Sequence, residues 1–279
     1  MISVVLGGAV SAAAALSAPT AAIDQSTNWS GYTVTGNGST ETTADSTMAF
    51  TDVTGTWKQP AATCTPGDPN SASMWVGLGG YSTNAPALEQ TGTEVDCNAN
   101  GKASYSAWYE IVPQPSKPIK LKVLPGDTIT ASVYVTNGTD VLVQIKNRTR
   151  HTSFTKHITV AAPDLTSAEW IAEAPSDCSE SGRCTTTDLA NFGSVTFSKI
   201  AATGNGQAGT LMGSEWEYTA FQLIPDSRHG RFFRFGAAPS SNAGATPVSP
   251  TPDCTAASCS FTVNFVANAN TQSTLPNTA

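Results

Sequence analysis

The sequence is poor in charge, and poorer still in positive charge. Only 13% of its 279 residues are charged, and 14 Lys and Arg stand against 21 Asp and Glu, a net charge of −7. Nucleic-acid binders carry a basic excess, so the composition argues against nucleic acid as a partner. Scarce bases have a second consequence. In acid the carboxylates protonate, and a base-rich chain is then destabilised by its own repulsion; this chain largely escapes that stress. Helical patterning is missing as well. No apolar period of 3.6 persists beyond a turn or two, and Ser, Thr, Gly and Asn take the place of the residues that fill long helices.

Common catalytic signatures are also lacking. There is no G-x-S-x-G, no H-E-x-x-H and no Asp-Thr/Ser-Gly turn. The 3 histidines, His151, His157 and His229, have neighbours that suggest no triad. No CxxC occurs and no His lies close to a Cys in sequence, which leaves zinc as a weak alternative. Glu94-Val95-Asp96 begins a paired-carboxylate pattern known from β-sandwich glycosidases, but Ala99 stands where its third carboxylate belongs.

What the sequence does contain is strand signal. Thr128–Thr136 sets Ile129, Ala131, Val133 and Val135 against polar residues and Tyr134, residues 141–146 alternate in the same way, and Ser260–Val266 puts Phe261, Val263 and Phe265 on one face. Pro125-Gly126-Asp127, Asn137-Gly138 and Asn205-Gly206 punctuate these runs as turns. Many short alternating runs separated by turns specify an all-β sandwich or barrel. Residues 237–257, rich in Pro, Ser and Ala, read as a long surface loop.

Residues 1–22 read as a signal peptide, apolar and small with Ala18, Ala21 and Ala22 near the cleavage point, although no Lys or Arg precedes Lys58. The apolar run is shorter than the ~20 residues of a membrane span, so no membrane association is expected after cleavage. Residues 23–268 would form the folded domain and 269–279 a loose tail. The 6 cysteines suit an oxidising compartment. Spacing suggests Cys178–Cys184 and Cys254–Cys259 as local bridges, leaving Cys64 with Cys97, although 6 cysteines allow 15 pairings. Sequons at Asn28, Asn37, Asn137 and Asn147 mark candidate surface positions. Two basic clusters, Lys146, Arg148, Arg150 and Lys156 and then Arg228, Arg231 and Arg234, read as solvated strand faces.

Six short motifs carry a resemblance. Asn28-Trp29-Ser30-Gly31, Trp75-Val76-Gly77-Leu78, Leu88-Glu89-Gln90-Thr91-Gly92, Tyr105-Ser106-Ala107-Trp108-Tyr109-Glu110, Ala168-Glu169-Trp170-Ile171 and Asn191-Phe192-Gly193 follow one another in the order and at spacings similar to those of the glutamic peptidases, or eqolisins. The likeness covers roughly residues 26–197 and thins beyond Lys199. It implies two packed antiparallel sheets bent around a long cleft, of the concanavalin A-like type. It further implies a secreted acid endopeptidase that acts on polypeptides with no metal or organic cofactor; a monomer is expected, although the sequence itself does not reveal the oligomeric state.

By match of motif the catalytic pair is Gln90 and Glu169, and Trp29, Trp75, Trp108 and Glu110 are candidate substrate-binding residues. The chemistry is coherent. A carboxylate can take a proton from water and return it to the leaving nitrogen, while a carboxamide offers N–H donors to the oxyanion. If 168–174 is a strand, Glu169, Ile171 and Glu173 share one face. Two departures stand out: the fungal members' acids at the positions of Gly79 and Ser106 are missing here. Their loss removes like-charge repulsion and so predicts a lower pKa for Glu169. The competing reading is a carbohydrate-binding module of the same architecture, with exposed Trp stacking on sugar rings; fold alone does not separate the two.

Overall fold

A computed structural model of the chain describes residues 22–39, 47–82, 85, 87–178, 184–225, 241–251, 254 and 258–269. Its elements are β1 (Ala22–Ser26), β2 (Trp29–Thr35), β3 (Phe50–Lys58), β4 (Asn70–Leu78), β5 (Leu88–Cys97) and β6 (Ala103–Val112). There follow β7 (Lys117–Ile119), β8 (Thr128–Thr136), β9 (Asp140–Asn147), β10 (Thr152–Thr159), β11 (Ser167–Glu173) and β12 (Ser176–Cys178). The last are β13 (Cys184–Thr186), β14 (Ser194–Gly204), β15 (Gln207–Gly209), β16 (Glu217–Leu223), β17 (Gly244–Pro247) and β18 (Ser260–Val266).

Sixteen strands join in one hydrogen-bonded sheet along the path β10-β9-β8-β3-β14-β18-β17-β16-β2-β11-β4-β5-β6-β7, with β1 on β16 and β15 on β14. The pairings are antiparallel except β1 with β16. The sheet doubles over, so that β3 and β8 pack against β4, β5 and β11. The result is the expected all-β bent sandwich, its two layers continuous through β18, β17 and β16.

Strand periodicity explains the core. In β8 Ile129, Ala131, Val133 and Val135 are buried while Tyr134 is exposed, and in β9 Val141, Val143 and Ile145 are buried. They meet Val76, Trp57 and Trp170 between the layers. Trp170 Nε1 donates to the Thr54 carbonyl oxygen at 2.8 Å, a partner that a buried indole N–H requires. Gly55 makes room for this ring: a Cβ there would lie 2.9 Å from Trp170 Cδ1. The Asn-Gly turns form as read, with φ of 52° and 73° at Asn137 and Gly138, left-handed geometry suited to a tight hairpin between β8 and β9.

Three sequence expectations are corrected or narrowed. The stretch 237–257 is not simply a loop, because β17 forms within it and bridges β16 to β18. Gly244 permits this: a Cβ at that position would fall 2.1 Å from the Leu223 carbonyl oxygen. Among the sequons, Asn37 and Asn137 are exposed, but Asn28 and Asn147 are buried and spend their amides on internal hydrogen bonds. In the first basic cluster, Arg150 is paired with Asp127 at 2.6 Å; Arg228, Arg231 and Arg234 lie outside the described residues.

Cys64–Cys97 and Cys254–Cys259 are disulfide-bonded. Cys178 and Cys184 stand opposite one another in the β12–β13 register, but their side chains lie outside what is described, as do residues 1–21 and 270–279.

Candidate active site

Residues paired directly across neighbouring strands point to the same face of a sheet, so the register maps the site. One row runs Thr219, Thr33, Glu169, Gly77, Gln90, Glu110 across β16, β2, β11, β4, β5 and β6. A second row runs Phe221, Gly31, Ile171, Trp75, Gly92, Trp108. A third runs Trp29, Glu173, Ser73, Glu94, Ser106. All three rows lie on the face turned away from the core. There Trp29, Trp75, Trp108, Ile171, Leu88, Tyr81 and Phe221 form a second apolar cluster, with Trp29 and Trp75 in edge contact at 5.0 Å.

Gln90 and Glu169 therefore flank Gly77. With strands ~4.8 Å apart, their backbones are roughly 10 Å apart, and Gly77 places no side chain of its own between them. Its neighbours close in over Gly77: a Cβ there would lie 3.0 Å from Leu88 Cδ1 and Trp75 Cζ3 and 3.2 Å from Gln90 Cβ.

The polar partners are unequal. Gln90 Nε2 donates to Glu110 Oε2 at 2.7 Å, which fixes the direction of the amide and leaves its second N–H unspent. Gln90 Oε1, both Glu169 oxygens and Trp108 Nε1 are buried without a hydrogen-bond partner among the described residues. Buried polar groups are normally satisfied, so these unpaired atoms are available to bond an incoming group; both Glu89 oxygens, behind this face, are likewise unpaired among the described residues. Glu173 differs from Glu169: Asn28 Nδ2 donates to its Oε1 at 2.8 Å and Trp75 Nε1 to its Oε2 at 2.7 Å. It acts as a brace for the Trp cluster.

Electrostatics run against one sequence expectation. Complete burial pushes the Glu169 carboxyl well above the ordinary carboxylate range, and the nearby acids Asp164 and Glu89 push it further; the Ser167 hydroxyl opposes this, though it falls short of hydrogen-bond geometry. Empty positions at Gly79 and Ser106 thus do not give Glu169 a low pKa, because desolvation dominates and Asp164 supplies another acid. Burial also raises Glu173 to about 8 and Glu110 to about 7, the latter offset in part by the bond from Gln90.

The structure brings the residues singled out in sequence onto one face, and it refines them. Trp29, Trp75 and Trp108, members of the second and third rows, are buried in a cluster rather than projecting as free platforms. Glu110 contacts Gln90. Sequence reasoning passed over Asn28 as a partner of Glu173, although the residue stood in a matched motif, and over Asp164, for which no motif or period gave a signal.

A family model described as Peptidase A4 family matches residues 27–223. Aspergillopepsin-2 of Aspergillus niger is 31% identical over 198 residues, a stretch covering 66% of this chain and 66% of that protein. Among solved structures, scytalido-glutamic peptidase with a transition-state analog inhibitor aligns with a TM-score of 0.62 at 21% identity, covering 86% of this chain and 98% of the other. SCP-B, a member of the eqolisin family in complex with the tripeptide Ala-Ile-His, aligns with a TM-score of 0.58 at 19% identity over 86% and 98%. At these identities the structural likenesses speak for the fold.

Proposed function

The chain belongs to the peptidase A4 family, the glutamic peptidases, and from that premise we propose that it is an extracellular endopeptidase whose working pair is Gln90 and Glu169. The observation that supports this reading most is the row in which Glu169, Gly77 and Gln90 stand side by side with unspent polar atoms. An extended polypeptide would lie across the strands with its scissile carbonyl over Gly77.

Glu169 as carboxylate takes a proton from water while the water oxygen bonds to the carbonyl carbon. The N–H of Gln90 that Glu110 does not use donates to the developing oxyanion. When the tetrahedral centre collapses, Glu169 passes its proton to the departing nitrogen, the C–N bond breaks, and a carboxyl and an amine terminus separate. Gln90 does the work of a carboxyl that never ionises, so the pair needs a single titrating group. Because burial raises Glu169, the acid limb of kcat/KM is expected above the ordinary carboxylate range, and activity is expected to fade towards neutrality as the proton needed by the departing nitrogen becomes scarce. The apolar N-terminal segment, read as a signal peptide, and the paired cysteines fit secretion.

The carbohydrate-binding alternative loses ground to the buried state of Trp29, Trp75 and Trp108, since stacking on sugars needs exposed ring faces. The test is casein digestion across pH 3 to 9 by purified protein, with and without pepstatin. We expect cleavage in acid that pepstatin leaves unaffected, because the sequence has no Asp-Thr/Ser-Gly dyad for it to bridge. An optimum above neutrality, or loss of activity with pepstatin, would assign the chemistry to other groups.

A further inference from the structure

Gly79 follows β4 with φ of 80°, and a Cβ there would meet Asp164 Cβ at 2.4 Å and the Asp164 backbone oxygen at 2.6 Å. The space a side chain at 79 would use is therefore occupied from another part of the chain. Asp164 is 4% exposed. Its Oδ2 accepts from the Gly80 N–H at 3.1 Å, and its Oδ1 accepts from the Thr166 N–H at 3.0 Å and the Thr166 hydroxyl at 2.7 Å. Beside these, the Gly79 N–H donates to the Ser167 carbonyl oxygen at 3.0 Å. These bonds tie the end of β4, which carries Gly77, to the start of β11, which carries Glu169.

We infer that Asp164 is a positioning residue for Glu169: from the segment before β11 it fills the place of a side chain at 79 and fixes the end of β4 against the start of β11, the strand that carries Glu169. The inference rests on the proposed role of Glu169. Around that carboxyl, β2 presents Thr33, β4 Gly77, β5 Gln90 on the same face and Glu89 behind, β6 Glu110, β16 Thr219, and β11 itself Ser167 and Glu173. The charges that bear on Glu169 are Asp164 and Glu89, both of which raise its proton affinity. No Lys, Arg or His occupies these positions. Replacing the acid of Asp164 with a neutral isostere should therefore ease ionisation of Glu169.

The experiment is the pH dependence of kcat/KM on a peptide substrate for the wild type, Asp164→Asn and Glu169→Gln. In Asp164→Asn the acid limb is expected to move to lower pH. At a fixed pH on that limb, kcat/KM then rises about threefold for every half pH unit by which the limb moves. An unchanged limb, with altered kcat or melting temperature alone, would reduce Asp164 to a structural residue and overturn the inference.

A second measurement reads the Glu169 carboxyl itself, without turnover. In protein with 13C-labelled carboxyls, the Glu169 resonance, assigned by its loss in Glu169→Gln, should titrate at lower pH in Asp164→Asn than in the wild type. An unchanged midpoint contradicts the inference. Full activity in folded Glu169→Gln would instead reject the catalytic reading, an outcome separate from either result at Asp164.

Discussion

At the scale of single residues, the site depends on what stands beside each polar atom. Glu110 directs the Gln90 amide through a 2.7 Å hydrogen bond, so in the proposed mechanism its loss should disorder the oxyanion donor. Glu110→Ala is expected to lower kcat by about tenfold or more, with KM little changed, since removing a whole donor costs roughly 10²-fold; a change in KM alone would argue against this role. Gly77 is the second sensitive point. Gly77→Ala places a methyl within 3.0 to 3.2 Å of Leu88, Trp75 and Gln90, so these neighbours, Gln90 among them, must shift. Peptide turnover should fall by about 10²-fold, the order expected of a displacement near 1 Å, while circular dichroism stays that of the wild type. The residue level was also where the sequence was least complete. The motifs point to Gln90 and Glu169, but Asp164 reaches the site through a close approach to Gly79, which involves no periodic pattern and shows only in three dimensions.

At the scale of elements, the alternation in β8, β9 and β18 was legible because each buries one face, and period-2 patterning follows directly from that. β17 was not legible. It is 4 residues long, contains Pro247, and is buried at every position rather than at alternate ones, so it shows no period-2 pattern. The loop of residues 59–69 between β3 and β4 and the end of β5 are held by Cys64–Cys97, which spans 33 residues. Loop-closure entropy for that length is worth about 3 to 4 kcal/mol. Cys64→Ser with Cys97→Ser should lower the denaturation midpoint accordingly in urea titrations, and should lower it more than Cys254→Ser with Cys259→Ser, whose loop spans 5 residues. Equal losses from the two pairs would contradict the entropic argument.

At the scale of the whole molecule, buried acids set the pH at which the fold is strongest. Burial raises Glu89 and Glu173 to about 8, Glu110 to about 7 and Asp52 to about 6, and raises Glu169 as well. A group raised in the folded state contributes its stability fully below its unfolded value, near ~4, and loses it as pH climbs through the folded value. Each such group weakens the fold by at most about 1.4 kcal/mol per pH unit within that window. Asp127, lowered by Arg150 and Asn147 against the cost of burial, acts in the opposite sense and loses its contribution only as pH falls through its depressed value. The raised acids outnumber it, so melting temperature should be highest near pH 4 and decline towards pH 8 in calorimetric scans. A maximum at neutral pH would show that these carboxyls are better solvated than their burial indicates. Scarce Lys and Arg, the feature most plainly visible in the composition, act in the same direction by limiting repulsion in acid.

All three scales converge on a carboxyl and a carboxamide set either side of a glycine on one sheet face. The most direct test is the turnover of casein by Glu169→Gln, a substitution that keeps size and shape and removes the proton acceptor, with folding verified by circular dichroism. The account predicts a folded protein whose cleavage falls by at least about 10³-fold. A folded Glu169→Gln protein that digests casein at a rate close to the wild type would contradict it.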